Sequence, residues 1–216
     1  MYLTWLGHSS FKLQDKVGSD GVVVITDPFD PAFVGLKMPS LEADVVTISH
    51  DHKDHNYLKA IRKEPFVISA AGEYETKGVF IEGVDSFHDN KQGAERGGNL
   101  IYRIEMDDIA VTHLGDLATT LDTKQLERLE GTDILLVPVG GHFTLDAKLA
   151  VEVIKQIEPR IVVPMHYKVD GLKFELDSLD KFIKELGLKP TNEEKLKISK
   201  RELPTEDMEL VILSMA

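Results

Sequence analysis

The stretch Val45-Val-Thr-Ile-Ser49, followed at once by His50-Asp-His-Lys-Asp-His55, decides how this chain is read. The first five residues are apolar or β-favouring and predict a short buried strand. The next six hold three imidazoles and two carboxylates. Such a cluster makes a poor core, because buried charge needs a partner, and its place behind a buried strand argues against a His-rich surface turn. In an extended segment side chains two apart point the same way, so His50 and His52 can share one cation. Asp54 and His55 fall at the start of a helical run, Asn56–Ile61, where the chain turns and both can reach a second cation.

Six residues cannot enclose two cations, since zinc-like ions take about four or five N and O ligands each. Further ligands must come from distant strand ends. His88 closes Val84-Asp-Ser-Phe-His88 ahead of a Gly-containing turn, Asp116 follows a strand and Gly115, and His166 closes Ile161-Val-Val-Pro-Met-His166. All three stand at the C-terminal ends of β-runs, where α/β sheets place their chemistry.

Around these residues the chain is strand-rich at first and then alternates. β-type runs are expected at Tyr2–Leu6, Phe11–Leu13, Val22–Thr26, Phe66–Ser69, Gly78–Ile81, Leu100–Met106 and Ile109–His113, with turns such as Gly18-Ser-Asp-Gly21 and Asp27-Pro-Phe-Asp-Pro31 between them. Asp107-Asp108 reads as the tip of a tight hairpin. Thr123–Glu130, Asp146–Ile157 and Ser178–Leu186 read as helices; Ile134–Val139, Ile161–Met165, Leu196–Ser199 and Leu210–Leu213 read as strands. A strand ending in Asp27 precedes one ending in His50, and a strand running into Asp116 precedes one running into His142. This echo suggests two similar halves whose strand ends face one cleft. No linker or charge block divides residues 1–216, so we expect one α/β domain.

The 216 residues are 42% hydrophobic and 29% charged, an ordinary globular composition, with a net charge of −12. An acidic surface repels phosphates, which disfavours nucleic-acid and anionic-membrane partners. No apolar run reaches the roughly 18 residues of a membrane span, and Met1–Leu6 lacks the features of a secretory signal. With no cysteine in the chain, disulfides, thiolate metal sites and Cys nucleophiles are excluded, and any metal must rest on His, Asp or Glu. A cytoplasmic setting fits this composition, and a homo-oligomer is compatible with it.

His50-x-His52-x-Asp54-His55, with His88, Asp116 and His166, resembles the ligand set of the metallo-β-lactamase superfamily, and Asp27 matches its early structural Asp. The segments Trp5-Leu-Gly-His-Ser-Ser-Phe11, Arg96-Gly-Gly-Asn99, His113-Leu-Gly-Asp116 and Phe143-Thr-Leu-Asp146 resemble a compact branch akin to L-ascorbate-6-phosphate lactonase. The resemblance implies a four-layer αββα sandwich of two pseudo-symmetric halves. It also implies a division of labour: His50, His52 and His88 on one metal, Asp54, His55 and His166 on the other, and Asp116 bridging both. Two divalent ions, zinc before manganese or iron, would lie roughly 3.5–4 Å apart, lower the pKa of a shared water to about 7 and supply hydroxide. Asp54, Asp116 and hydroxide leave such a pair with an excess positive charge, which suits an anionic substrate.

The expected activity is therefore metal-dependent hydrolysis of an ester, lactone or phosphoester in a small anionic molecule, with Asp54, Asp116 and His8 as the catalytic candidates. His8 reads either as a donor or proton shuttle beside the cleft or as a packed structural residue. His113 orients the site or simply packs, and His142 touches substrate or sits in a surface turn. A nuclease is the main alternative, opposed by the acidic charge and the lack of a basic stripe, although Lys195-Leu-Lys197 and Lys200-Arg201 supply local cations. A redox di-iron protein would carry Glu within the first motif, where Asp51 and Lys53 flank His52. A non-catalytic metal binder conflicts with the complete ligand set. β-Lactam turnover is at most a side activity, since Asp116 stands where many true lactamases carry Cys.

Overall fold

The computed structural model describes residues 1–15 and 21–216; Gly18-Ser-Asp20 of the expected first turn lies outside them. Two sheets enclose a shared apolar core. The smaller sheet has β1 (Tyr2–Gly7), β2 (Ser10–Gln14), β3 (Val23–Thr26), β4 (Val45–Thr47), β5 (Phe66–Ile68) and β13 (Leu196–Lys197), in the order β13-β1-β2-β3-β4-β5. The larger has β6 (Gly72–Thr76), β7 (Val79–Phe87), β8 (Gly98–Met106), β9 (Ile109–His113), β10 (Ile134–Pro138), β11 (Ile161–Met165), β12 (Pro190–Glu193) and β14 (Glu209–Leu213), in the order β12-β14-β11-β10-β9-β8-β7-β6.

The two-residue period of a strand separates the layers. Val24 of β3 and Val45 of β4 enter the core shared with the larger sheet, while their neighbours Ile25 and Val46 pack outward with Leu6, Ala43, Ile48 and Ile61. In the larger sheet β10 and β11 are buried throughout, which explains their unbroken apolar sequences. Helices α2 (Thr123–Arg128), α3 (Ala147–Ile157) and α4 (Leu179–Leu186) belong to this half. Asp146 caps α3 by accepting the Leu149 N–H at 2.9 Å, and Ala150, Val153, Ile154 and Phe182 join the core. The outer layer of the smaller half is thin, with only α1 (Pro31–Val34) and a 3-10 turn at Leu58–Ala60 among its described residues.

The two halves echo each other as expected: β3 runs parallel to β4 with Val24 opposite Val45, and β9 runs parallel to β10 with Val111 opposite Ile134. Asp107 and Asp108 both take positive φ, 54° and 61°, closing the β8–β9 hairpin. The helical run expected at Asn56–Ile61 contracts to the single 3-10 turn. Its backbone is committed elsewhere: Tyr57 N–H donates to the Pro28 carbonyl, and Arg62 N–H donates to the Leu41 carbonyl. Two strands escape the sequence pattern, β6 and β12. Both are edges of the larger sheet, and their polar compositions, Gly-Glu-Tyr-Glu-Thr and Pro-Thr-Asn-Glu, are those of strands that resist further pairing.

Candidate metal centre

Every histidine and aspartate singled out by the strand-end pattern lies at one edge of the two sheets. Asp27 follows β3, Ser49 and His50 follow β4, His88 follows β7, Asp116 follows β9 and His166 follows β11. His50–His55 is a succession of bends and turns, not an extended segment. The turn still brings the His50 and His52 rings within 4.5 Å of each other, and places the His50 and His55 rings 4.2 Å apart. Three residues at this edge, His8, Asp27 and His166, have left-handed backbones with φ of 51°, 40° and 52°. Side chains carry a cost there, which the surrounding fold holds in place at these three positions.

Asp116 is at the centre. Its Oδ2 lies 3.9 Å from His50 Nε2, 3.4 Å from His88 Nε2, 3.3 Å from His55 Nε2 and 3.4 Å from His166 Nε2. Donor atoms of His50, His52 and His88 form one close group, within 4.8 Å of one another; those of His8, Asp54, His55 and His166 form a second, and those of His50, His55 and Asp116 a third that overlaps both. The turn that delivers Asp116 requires Gly115, whose φ is +56° and where a Cβ would fall 2.3 Å from Asn99 Oδ1 and 2.6 Å from Ser49 Cβ. Asn99 fixes the turn in return: Oδ1 accepts the Asp116 N–H at 2.8 Å, and Nδ2 donates to the Leu114 carbonyl at 2.9 Å.

Asp27 sets the orientation of the histidines from below. It accepts His55 Nδ1–H at 2.8 Å, the Ser49 N–H at 2.7 Å and the Ser49 hydroxyl at 2.5 Å. Because the hydroxyl proton is used on Asp27, Ser49 Oγ accepts from His50 Nδ1 at 2.9 Å. Both imidazoles are thereby held with Nδ1 protonated and Nε2 turned towards Asp116, which is how an outer carboxylate selects the tautomer of a ligating histidine. Sequence reasoning placed Asp27 but missed Ser49 and Asn99. The only signal for Ser49 was its position between a strand and His50, and for Asn99 its place in the quoted Arg96–Asn99 segment.

Burial would raise the carboxyls of Asp116 and Asp54, yet both are held well below the usual carboxylate range, Asp116 by His166 and His55, Asp54 by His8 and His55. His55 is the opposite case: burial disfavours its charge, but Asp116 and Asp27 raise its pKa well above the ordinary value. Burial together with neighbouring imidazoles lowers His50 to about 3 and His8 to about 4. The edge thus holds buried carboxylates that demand positive charge, and no Lys or Arg pairs with Asp27, Asp54 or Asp116 among the described residues.

A set of buried side-chain atoms also lacks any hydrogen-bond partner, namely His50 Nε2, His55 Nε2, Asp116 Oδ1, His88 Nδ1, His166 Nδ1 and His8 Nδ1. Unpaired buried polar atoms are rare and costly. Of these, His50 Nε2, His55 Nε2 and Asp116 Oδ1 belong to one group, no Lys or Arg answers its carboxylates among the described residues, and imidazoles and carboxylates that give up their protons are a donor set that fits divalent ions.

The three remaining histidines separate cleanly. His8 is buried, has its ring centre 4.2 Å from that of His166 at a tilt of 40°, and meets Asp54 Oδ2 through Nε2 at 3.3 Å, so it belongs to the cluster. His113 has both nitrogens on backbone: Nε2 donates to the Ser9 carbonyl at 2.7 Å and Nδ1 accepts the Gly115 N–H at 3.2 Å. It steadies the Asp116 turn without facing the cluster. His142 is exposed beside Phe143.

Comparison with known proteins places this geometry. A family model described as the beta-lactamase superfamily domain matches residues 2–166. A UPF0173 metal-dependent hydrolase of Thermococcus onnurineus is 34% identical over 193 residues, spanning 76% of this chain and 83% of that protein. Among solved structures, a candidate Zn-dependent hydrolase of the metallo-β-lactamase superfamily from Thermotoga maritima aligns with a TM-score of 0.78 and 36% identity, covering 98% of this chain and 97% of the other. Igni18, a metallo hydrolase from Ignicoccus hospitalis, aligns at 0.61 and 25% identity, covering 86% and 90%.

Proposed function

This chain belongs to the beta-lactamase superfamily domain family and is a metal-dependent hydrolase, and from that premise we propose that it uses two divalent cations to hydrolyse an ester, lactone or phosphoester of a small anionic molecule. One observation carries the two-cation reading: Asp116 Oδ2 is 3.3–3.9 Å from the Nε2 atoms of four histidines, His50 and His88 from one donor group and His55 and His166 from the other. In this reading His50, His52 and His88 hold one cation, Asp54, His55 and His166 hold the second, and Asp116 serves both. Zinc suits the imidazole-rich set, with manganese or iron as alternatives.

Bound cations supply Lewis acidity, polarising the substrate oxygen and making water a nucleophile at neutral pH. The chain's own residues supply placement. Asp27 and Ser49 hold Nδ1 of His55 and His50 protonated, so that Nε2 is the atom each ring would offer to a cation beside Asp116. His8, kept neutral at pH 7 by burial, donates Nε2–H to Asp54 and holds that carboxylate against rotation. Asp54 is half-buried and His52 exposed, so substrate reaches the cluster from their side.

A nuclease reading is less well supported. Lys200 is paired with Asp133, at 2.7 and 3.0 Å, and Asp133 precedes β10, at the end of that strand opposite the cluster. Lys195 and Lys197 lie over the Tyr2 ring, each at 6.0 Å from its centre, on the outer edge of the smaller sheet. The test is metal content by plasma mass spectrometry, followed by turnover of lactone, phosphodiester, β-lactam and RNA substrates by the loaded protein. Two ions per chain with turnover of small esters or lactones is the expected result. RNA or phosphodiester cleavage dominating by orders of magnitude would replace it with the nuclease.

A further inference from the structure

Beside the cluster, between the segment after β7 and the segment before α3, lies a cavity of about 300 Å³ lined by His88, Arg96, His142, Phe143 and Thr144. We propose that it is an oxyanion subsite, which binds a phosphate or carboxylate of the substrate through the Arg96 guanidinium and the Thr144 hydroxyl. The inference rests on the hydrolase reading for its role in turnover, but the binding itself does not.

The Arg96 guanidinium carbon lies over the Phe143 ring, 4.4 Å from its centre, and Arg96 makes no ion pair among the described residues. A cation–π contact with the ring uses no N–H donor of the guanidinium in a hydrogen bond to a carboxylate, and these donors are the ones that grip carboxylates and phosphates. In a chain of net charge −12, an uncommitted cation at the mouth of a metal cluster gives an anion a local point of attraction.

Thr144 is only 8% exposed, and its Oγ1 has no hydrogen-bond partner. Thr144 lines the cavity, and a buried hydroxyl left unpaired there gains from an acceptor brought within its reach.

The acidic residues on the same walls are already engaged. Asp89 accepts the backbone N–H groups of Lys91, Gly93, Glu95 and Arg96, at 2.7–2.9 Å. Asp146 caps α3, and Glu95 is paired with Lys91. The four bonds to Asp89 also tie down the loop that carries Arg96, so the guanidinium is presented on a fixed frame. His88 is the wall shared with the cluster, its Nε2 lying 3.4 Å from Asp116. An anion in the cavity therefore leaves the rest of a small molecule beside the reacting centre.

The experiment titrates phenylphosphonate, benzoate and neutral benzyl alcohol into chelator-treated and metal-loaded protein, following the Arg96 side-chain N–H and the Phe143 and Thr144 amides by NMR. We expect the anions to shift these signals in both metal states and benzyl alcohol to leave them in place. The better of the two anions identifies phosphate or carboxylate as the natural group. Arg96→Met should weaken anion binding about tenfold or more, the loss of a charge-assisted bond, Thr144→Val several-fold, and Arg96→Lys less than Arg96→Met. Anion binding unchanged by Arg96→Met, or anion shifts absent from the chelated protein, would mean that anions sit on the cations alone and would overturn the subsite. Phenyl acetate and phenyl phosphate turnover by loaded wild-type protein is measured separately. No turnover of either counts against the ester and phosphoester readings while the binding result stands.

Discussion

The smaller and larger halves contribute to the same cluster in different ways. The smaller half delivers His50, His52, Asp54 and His55 from one six-residue turn after β4, with Asp27 bracing that turn from the neighbouring strand. The larger half delivers single side chains, His88, Asp116 and His166, from the ends of three strands far apart in sequence. In the first case local chain geometry does most of the work, and the outer layer behind it can be thin. In the second, each residue depends on the pairing of β7, β8, β9, β10 and β11, and this half carries the three longer helices and the five-residue strands that are buried throughout. A dense motif tolerates a modest scaffold; dispersed ligands need a rigid one.

The largest expected effect comes from the residue where the two contributions meet. Asp116→Asn keeps shape but removes the charge shared by four imidazoles and leaves a poor bridging ligand. Turnover should fall by at least two to three orders of magnitude, about 3–4 kcal/mol of barrier at 1.36 kcal/mol per tenfold, with metal content dropping below two per chain. Two retained ions and near-normal turnover would show that the halves are not joined through Asp116.

Next comes the brace inside the smaller half. Asp27→Asn deprives His55 Nδ1–H and the Ser49 hydroxyl of a carboxylate acceptor in a fully buried position. Outer partners of this kind are worth about 10–100-fold in metal affinity or activity, so a competition assay with a chromogenic chelator should show that loss. An unchanged affinity would mean that the turn holds its own histidines in place without help.

Removing the cations altogether tests whether the two halves depend on them for stability. At 100-fold excess over the dissociation constant one site contributes about 2.7 kcal/mol, and at about 2–4 °C per kcal/mol for a chain of this size the melting temperature should fall by roughly 5–10 °C on chelation. The chelated protein should also weaken on acidification from about pH 6.5 towards 4. With folded-state values of about 4 for His8 and about 3 for His50, the unfolded chain takes up protons in that window and the folded chain does not. His55, raised by its carboxylates, offsets the slope only at the top of the window, because below it both folded and unfolded chains carry that proton. A melting temperature flat between these pH values would contradict the burial of both rings.

The contrast between the halves also governs what could be read in advance. The His50–His55 motif was legible because its chemistry is compressed into six letters, and β10 and β11 because burial on both faces leaves no polar residue in them. His88, Asp116 and His166 were visible only as polar residues terminating β-runs. Ser49 and Asn99 were not visible as site residues, because a serine after a strand and an asparagine in a Gly-rich segment acquire meaning only from the hydrogen bonds the fold gives them. β6 and β12 were hidden by edge-strand polarity, and the helical pattern at Asn56–Ile61 lost to backbone bonds with Pro28 and Leu41.

The smallest expected effect is the control for the largest. Asp51 lies in the same six-residue turn as His50 and Asp54, but its side chain is exposed and its Oδ1 accepts from the Asn56 amide, away from the cluster. Asp51→Asn removes one negative charge, as Asp116→Asn does, and keeps a carbonyl acceptor for Asn56. If position matters and net charge does not, turnover should change by no more than a few-fold, metal content should stay at the wild-type value, and the melting temperature should move by about a degree or less, as for surface substitutions generally. A loss comparable to that of Asp116→Asn would mean that the acidic field of the turn as a whole, and not one shared carboxylate, holds the cations. The dense half would then be doing the binding, and the dispersed half would only close the cleft around it.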